Sequence, residues 1–366
     1  MRKLPYIDLM RATAIILVVM VHVGQKSGSQ SILFTYFYSF GQMGVQLFFV
    51  ASALTLCMSL EKRVSEKQLI VKFYVRRFFR IAPLYYLGIL IYVVYFSVYF
   101  KTILPPHFDA MDLVLNILFV HGISPSAMNT VVPGGWSIGC EMLFYVLFPF
   151  LFKYVSTLRK AIFFLFISVG IDLLFNYILA KTTSTSIVVN SNSTKYYFIA
   201  NQLPAFSWGF ILYYLTKRNI LNRNRRKVIG ISFLFLPITV GLLLWVWKND
   251  PVGPLSHCFV PAIGGGLFMV VGILYQSIKM APRIILKIGQ CSYSIYILHF
   301  VIVWSILPLL LKINWYGKMF GTMRFCIGFV VVLFISYGIA ILTENYIEKK
   351  GIKLGQKLLS KIDEVL

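Results

Sequence analysis

The sequence contains few charged residues and very few acidic ones. Only 13% of its 366 residues are charged, and the 35 Lys and Arg outnumber the 12 Asp and Glu almost three to one. A soluble domain has about 25% charged residues, and water does not tolerate a surface made largely of apolar side chains. The composition therefore excludes a soluble enzyme, a disordered tail and a disulfide scaffold, and leaves a multi-span membrane protein.

The common motifs of soluble chemistry are also missing. The five cysteines form no CxxC pair, and their odd number gives no disulfide framework or zinc site. HExxH, GxSxG, P-loop and dinucleotide-binding spacings do not occur. Hydrolases of those families and ATP-driven pumps therefore have no support, and we predict neither a metal site nor a permanently bound cofactor.

Long hydrophobic runs, in contrast, are abundant, since 58% of the residues are hydrophobic. A span needs about 20 apolar residues, so the short apolar segment Leu113–Val120 is predicted to be re-entrant or interfacial, on the outer side. The predicted fold is an all-α, polytopic membrane bundle of about ten transmembrane helices in one domain, residues 1–366. The predicted spans cover approximately residues 9–24, 41–60, 81–100, 136–152, 161–179, 196–215, 228–247, 258–278, 289–311 and 319–342.

The distribution of basic residues predicts the orientation. With the N-terminus inside, the inner segments contain 27 Lys and Arg and the outer segments contain 8. Because basic residues collect in cytoplasmic loops, both termini are predicted to be cytoplasmic, and the positive charge indicates topology rather than a nucleic-acid partner. Asp8 and Arg11 interrupt the first span, so it is expected to be retained rather than cleaved. Residues 181–195 are predicted to be the one long polar external loop.

Ionisable side chains within spans are costly and usually face a cavity or a partner. On the first helix, Arg11 and His22 are eleven residues apart, so they share one face and lie about 16 Å apart along the axis. Asp8 is placed to pair with Arg11. If Arg11 lies at the inner boundary, His22 lies near the middle of the membrane. A histidine that only bonds a neighbouring helix remains the alternative.

A second candidate is Glu141, which is predicted to lie about one and a half turns inside the outer end of its span, with Trp136 as an interfacial anchor. A carboxylate there needs a partner or a proton. Because His22 reaches a similar depth, we consider a His22–Glu141 pair feasible. A neutral Glu141 bonded to a carbonyl is the alternative.

Arg77 and Arg80 lie three residues apart, so they face the same way on a helix entering the membrane from the cytoplasm. Guanidinium groups bind phosphate oxygens bidentately, so the pair suits a polyanion, although ordinary topology-determining charge explains it equally well. His299 follows a run of hydroxyl side chains and is also predicted to lie near mid-depth, where helix packing is the simpler role.

Together these segments resemble acyltransferase family 3, the integral-membrane O-acyltransferases that modify bacterial surface glycans. Two departures are Ala53, where the family commonly has Gly, and Lys350-Gly351, where many members have Pro. The resemblance rests on Arg11-x10-His22, Phe48-Phe-Val-Ala-Ser52, Arg77-x-x-Arg80, Trp136-Ser137-x-x-x-Glu141-x-x-Phe-Tyr145, Ser292-Tyr293-Ser-x-Tyr-x-x-His299 and Glu348-Lys-Lys-Gly.

The resemblance implies an acyl-CoA donor, acetyl-CoA by default, at the cytoplasmic face of a bacterial inner membrane. It also implies a hydroxyl of a surface or lipid-linked polysaccharide as acceptor. Arg11, Arg77 and Arg80 would bind the CoA. His22 would act as general base, oriented or charged by Glu141. The supporting or acceptor-pocket residues would be Asp8, Ser52, Trp136, Ser137, Tyr293 and His299.

Two other functions remain open at this point. A transporter or flippase would use His22, Glu141 and His299 as a proton relay, although no pair of broken helices recurs in matching halves of the sequence. A polymerase or ligase acting on lipid-linked sugars lacks acidic outer-loop residues for a metal or sugar site. A covalent acyl-enzyme through Cys140 is disfavoured, because its side chain points about 100° away from Glu141.

Overall fold

The computed structural model describes residues 4–27, 32–102, 109–182, 195–217, 225–249, 254–278 and 280–364, and these residues form helices and turns without any strand. The helices are α1 (Pro5–Ser27), α2 (Ile32–Ser39), α3 (Gly44–Glu61), α4 (Leu69–Phe100), α5 (Ala110–Ile117), α6 (Gly135–Tyr154), α7 (Leu158–Thr182), α8 (Ile199–Lys217), α9 (Arg225–Asn249), α10 (Pro254–Gln276), α11 (Arg283–Gln290), α12 (Ser292–Leu311), α13 (Asn314–Gly317), α14 (Gly321–Thr343) and α15 (Lys349–Glu364). A 3₁₀ turn, His121–Ile123, follows α5, and a π-helical turn, Glu344–Glu348, joins α14 to α15.

The predicted all-α membrane bundle is confirmed. Nine helical segments in the described part of the chain are long and apolar enough to cross a membrane. The tenth predicted span, 196–215, coincides with α8, which is not among the nine. That helix packs against α3, α7 and α10 and buries Asn201 and Gln202. Because protein surrounds it, α8 can carry polar residues that a lipid-facing span could not.

Most of the predicted external loop, residues 181–195, lies outside the described residues.

The predicted run 289–311 divides in the structure, since α11 ends at Gln290 and α12 begins at Ser292, with Cys291 between them in a non-helical conformation. The predicted span therefore corresponds to α12 but begins three residues early, because Gly289 and Gln290 end the short helix α11.

Helix α1 lies at the centre of the bundle and packs against α3, α11, α12 and α14. Two contacts are so close that only glycine fits. A Cβ on Gly289 would lie 1.9 Å from the carbonyl oxygen of Asp8, and one on Gly44 would lie 2.4 Å from that of Ala14. Small residues of this kind let helix backbones approach one another in membranes. They hold α1, with Arg11 and His22, in a defined position.

The short apolar segment, Leu113–Val120, was predicted not to span the membrane, and the structure confirms this prediction. The end of the segment is buried in the bundle. His121 and Asn116 are fully enclosed. The Nε2 atom of His121 lies 3.0 Å from the Gly135 carbonyl oxygen and 3.2 Å from the Tyr85 hydroxyl, which donates to Asn116. These bonds satisfy polar groups away from water, as non-helical backbone inside a membrane protein requires.

A close contact between Gly122 and Gly139 joins this segment to α6. A Cβ on Gly139 would lie 2.8 Å from the Gly122 Cα and 3.0 Å from His121 Nε2. We expect Gly139→Ala to lower the unfolding temperature in detergent, because overpacking a closed contact costs about 1–3 kcal/mol. Gly170→Ala is the matched control, since no atom lies within 4 Å of its Cβ. Equal unfolding temperatures for the two variants would contradict the packing described here.

Three helices, α1, α4 and α12, run alongside one another through the bundle. Helix α12 packs against both of the others, and the Tyr92 hydroxyl of α4 donates to the Ile297 carbonyl of α12 at 2.7 Å. Each of the three contains polar or ionisable side chains identified from the sequence. Because the three helices run in the same direction, side chains that follow one another along each helix lie in the same order along the bundle.

Candidate active site

A cavity of about 90 Å³ lies inside the bundle near the end that carries Arg11. Three guanidinium groups, from Arg11, Arg77 and Arg80, line it, with Glu141 as the one carboxylate of the lining. We call it the arginine cavity. Its remaining lining includes Phe48, Ser52, Ser137, Tyr145, Ser292, Tyr293 and Tyr296. Helices α1, α3, α4, α6 and α12 thus bring five of the sequence motifs to one place.

Glu141 is held by two hydroxyl groups. Its Oε1 atom accepts hydrogen bonds from the Ser52 hydroxyl at 2.5 Å and from the Tyr145 hydroxyl at 2.6 Å. Tyr145 lies one turn further along α6 and Ser52 lies on α3. A carboxylate fixed in this way keeps its position and its orientation toward the arginines.

The arginines have an incomplete set of partners. The Arg77 side chain is half-buried, and its buried Nε atom has no hydrogen-bond partner among the described residues. Its guanidinium hydrogen-bonds Tyr145, and its Nη2 lies 3.5 Å from the Ser59 hydroxyl. Neither Arg11 nor Arg80 forms a close ion pair with any described carboxylate. All three guanidinium groups are half-buried, and a charge partly removed from water without a close partner is costly. The arrangement therefore suits an anionic ligand that completes the guanidinium hydrogen bonds.

A second cavity, of about 320 Å³, shares Arg11, Arg77 and Arg80 with the arginine cavity and is also lined by Asp8 and Lys62. We call it the vestibule. It is the larger space and lies toward the ends of α1 and α3, so the three arginines stand between the vestibule and the smaller cavity. A phosphorylated ligand in the vestibule would meet these guanidinium groups first.

Asp8 lies in the vestibule but is not in close contact with Arg11. Its Oδ2 accepts a hydrogen bond from Gln290 Nε2 at 3.0 Å, and it attracts Arg11 only over a longer distance. The predicted close pair of Asp8 and Arg11 is therefore wrong. The reason is the tight α1–α11 contact at Gly289, which places Gln290 beside Asp8.

The rim of the vestibule contains a separate ion-pair cluster. Glu66 contacts Arg76 at 2.6 Å and Arg63 at 3.4 Å. Burial lowers the pKa of Arg63, and the Arg76 guanidinium lowers it further, while Glu66 opposes both effects. Arg76 does not line the arginine cavity or the vestibule, although it shares a third cavity, of about 350 Å³, with Arg77 and Arg80. It differs from Arg77 in its close ion pair with Glu66.

His22 and His299 form a pair further along α1 and α12, with ring centroids 5.2 Å apart. Phe300 packs against both rings, at 4.2 Å and 4.3 Å. Nδ1 of His22 lies 3.1 Å from Gln25 Oε1. Because an amide oxygen only accepts, this nitrogen carries the proton, and in the neutral ring Nε2 keeps a free lone pair. His22 is thus able to accept a proton.

His299 has the same arrangement. Its Nδ1 donates to the Tyr296 carbonyl at 2.7 Å, and its buried Nε2 has no hydrogen-bond partner among the residues that the structure describes. The structure therefore brings His299 to His22, which the sequence placed only at a similar depth. An unprotonated ring nitrogen within reach of a hydroxyl is what a general base requires.

The structure does not bring Glu141 to His22, so the expected pair is wrong. The reason is the depth at which α6 begins. A Cβ on Gly134, the residue before α6, would lie 3.0 Å from the Tyr296 hydroxyl and 3.2 Å from Phe300, so α6 starts inside the bundle rather than at a surface. Glu141 is seven residues further on, about 10 Å along the helix, and therefore reaches the arginines.

Tyr296 separates the two parts of the site. Its ring lines the arginine cavity and lies 5.8 Å from the His299 ring. Its hydroxyl is 2.7 Å from that of Ser137 and donates to the Gly134 carbonyl at 2.9 Å. A proton relay through His22, Glu141 and His299 is therefore interrupted, because Glu141 lies on the far side of this residue.

Two other predicted site residues have local roles. Trp136 is only 7% exposed and stacks on Tyr197 at 4.7 Å, so it is a core residue and not the interfacial anchor we expected. The early start of α6 again explains the difference. Tyr293 lines the arginine cavity, and its hydroxyl donates to the Ile81 carbonyl at 2.9 Å.

Three residues of this region had no predicted role. Tyr145 and Tyr296 appeared only as parts of motifs, although Tyr145 follows Glu141 by one helical turn and so shares its face. Glu348 is buried in the π-helical turn, accepts a hydrogen bond from Ser294, and interacts electrostatically with Arg80 and Arg11.

Comparison with known proteins identifies the family. A family model described as an acyltransferase domain, that of acyltransferase family 3, matches residues 4–341. The chain belongs to this family. Its membership confirms the resemblance drawn from the motifs, and the membrane-spanning helices agree with a multi-pass membrane acyltransferase.

Curated proteins similar to this acyltransferase come from a virus and from bacteria. ORF330 of Acidianus two-tailed virus, provisionally named an acetyltransferase, is 26% identical over 71% of this chain and 72% of its own length. Peptidoglycan O-acetyltransferase OatA of Listeria monocytogenes is 25% identical over 84% of this chain. O-acetyltransferase OatA of Staphylococcus aureus is 23% identical over 82%. The matches span about half (51%) of each OatA protein. No solved structure matches significantly.

In this acyltransferase the motif residues gather in two places. The arginine cavity contains Arg11, Arg77, Arg80 and Glu141, and the second place is the histidine pair, His22 and His299. Among the described residues, no three His, Cys, Asp or Glu side chains come together as metal ligands. The chemistry available at the site is thus anion binding at one end and proton transfer at the other.

Proposed function

We propose that this protein is an O-acetyltransferase that moves an acetyl group from cytoplasmic acetyl-CoA to a hydroxyl of a cell-surface or lipid-linked polysaccharide, at the bacterial inner membrane. The observation that carries the proposal is the arginine cavity and its vestibule, where three guanidinium groups form no close ion pair with a carboxylate in the described part of the chain. The names of the OatA relatives support an O-acetyl product. The positive-inside rule supports a cytoplasmic position for the vestibule.

The donor side follows from charge. The phosphorylated head of CoA cannot enter lipid, so it would stay in the vestibule, bound by Arg11, Arg77 and Arg80. The uncharged pantetheine arm would pass through the arginine cavity toward Tyr296. Glu141 then has a different role from the one expected: it would position the arginines and the arm instead of charging His22.

The acceptor side uses the histidine pair. His22 Nε2 would take the proton of the acceptor hydroxyl while its oxygen attacks the thioester carbonyl carbon. A carbon–oxygen bond forms, the carbon–sulfur bond breaks, and CoA leaves as the thiolate, which takes up a proton. His299 would hold the His22 ring in place and share the proton. Direct transfer of this kind needs no covalent acyl-enzyme.

A strain lacking the gene tests the proposal. Complementation with the wild-type gene is expected to restore ester-linked acetate on the surface polysaccharide, measured by proton NMR, while the amount of exported polysaccharide stays constant. Purified protein in proteoliposomes is expected to bind acetyl-CoA. Loss of the polysaccharide itself in the deletion strain, with no change in acetate per sugar, would instead identify a flippase.

A further inference from the structure

A groove of about 370 Å³ lies beyond the histidine pair, at the opposite end from the arginine cavity. We call it the aromatic groove. Its volume falls within the range of about 300–1,000 Å³ typical of small-molecule sites. Five aromatic rings and one cation contribute to its lining: Tyr95, Phe96, Tyr99, Phe100, Trp304 and Lys26.

The same three helices line both the arginine cavity and the aromatic groove. Helix α1 contributes Arg11 to the cavity and Lys26 to the groove, and α4 contributes Arg80 and Tyr95 in the same way. Helix α12 contributes Tyr296 to the cavity and residues from Val303 onward to the groove. Because α1, α4 and α12 run in the same direction, the two spaces open toward opposite ends of the bundle. The histidine pair lies between them.

The groove begins one helical turn beyond the histidines. Lys26 is four residues after His22 on α1, and Trp304 is four residues after Phe300 on α12, so each lies on the same face as the earlier residue, about 6 Å further along. The rings are continuous. Trp304 packs on Phe300 at 5.5 Å, and Phe300 packs on His22 at 4.2 Å. Tyr95 lies 5.9 Å from Trp304.

From this arrangement we propose that the aromatic groove binds the acceptor, with a pyranose ring of the glycan stacked on Trp304 and Tyr95 and a free hydroxyl directed at His22. The inference rests on the proposed function and adds the acceptor's place within it. The apolar C–H face of a sugar ring packs on aromatic faces, and Lys26 attracts a carboxylate or phosphate borne by the same glycan.

Variants of Trp304 distinguish a stacking role from a merely apolar one. Trp304→Leu keeps an apolar side chain but removes the ring, while Trp304→Phe keeps a ring. Trp245→Leu is the matched control, because Trp245 is 58% exposed on α9 and does not line the groove. Each variant is expressed in the strain lacking the gene, and alkali-releasable acetate of its surface polysaccharide is measured relative to the membrane abundance of the protein.

We expect Trp304→Leu to lower the ester acetate about five- to tenfold, which corresponds to the worth of one or two aromatic contacts. Trp304→Phe, which keeps a ring, is expected to lose less acetate than Trp304→Leu, and Trp245→Leu is expected to stay within twofold of wild type. Acetyl-CoA binding by purified Trp304→Leu should be unchanged, which separates acceptor binding from misfolding. If Trp304→Leu kept wild-type acetate levels, or if Trp304→Phe lost as much acetate as Trp304→Leu, the groove would not bind the acceptor in this way. Either result would leave the proposed function standing. No acetate with the wild-type gene would overturn the proposed function and this inference with it.

Discussion

His22→Ala is expected to reduce acetyl transfer by about 10²- to 10⁴-fold, the usual contribution of a general base. The same variant should bind acetyl-CoA with an affinity within twofold of wild type. The physical reason is separation along α1, since His22 lies about 16 Å from Arg11 and outside the lining of both the arginine cavity and the vestibule. Transfer is measured as ester acetate on the polysaccharide, and binding is measured with the purified protein.

Gln25→Ala is the companion variant for this experiment. It removes the hydrogen bond at Nδ1 but leaves the imidazole, so a loss of only a fewfold is expected. If His22→Ala retained wild-type acetylation at normal abundance, the catalytic assignment would be wrong. If it lost acetyl-CoA binding as well, His22 would belong to the donor site instead.

The second large effect is expected at Arg77. Arg77→Lys should raise the KM for acetyl-CoA about 10- to 100-fold, because charge-assisted hydrogen bonds contribute about 1.5–3 kcal/mol and a lysine ammonium cannot reproduce the guanidinium fork. The buried Nε without a partner is the donor that a phosphate oxygen would satisfy. Steady-state transfer in proteoliposomes, with acetyl-CoA as the varied substrate, measures the effect.

Arg76→Lys is the matched control, since Arg76 adjoins Arg77 in sequence but pairs with Glu66 at the rim. Its KM should change less than twofold, as rim ion pairs contribute little. A second comparison uses acetyl-pantetheine, which lacks the phosphates: with this donor the wild type and Arg77→Lys should have similar KM values. An equal loss with both donors would show that Arg77 supports the fold instead of binding phosphate.

Most of the fold followed from composition and run length. Nine spans and the short re-entrant segment are visible in the sequence because lipid demands long apolar helices. Helix α8 was also found, although its Asn201 and Gln202 reflect a buried position that hydropathy does not reveal. The start of α12 was placed three residues early, because Gly289 and Gln290 at the end of α11 directly precede its hydroxyl-rich and apolar residues.

The sequence predicted which site residues share one face of a helix, but it did not predict which residues of different helices meet. Arg11 and His22 share a face of α1, and Arg77 and Arg80 share a face of α4, because helix periodicity alone determines this. The placing of Glu141 failed because its depth depends on where α6 begins. The residue before α6, Gly134, packs against Tyr296 and Phe300 of α12, and a contact between residues on two helices is not visible in the sequence. The His22–His299 contact is likewise a product of how α1 and α12 pack.

Because α6 begins inside the bundle, little material separates the arginine cavity from the histidine pair. From Tyr296 to Phe300 is four residues, about 6 Å along α12. A molecule bound in the arginine cavity and a molecule bound beside the histidine pair are therefore separated by roughly one layer of side chains, and not by the full thickness of a bilayer. Displacing a single ring would put them in contact, without the large rocking movement by which carriers expose a substrate first to one compartment and then to the other.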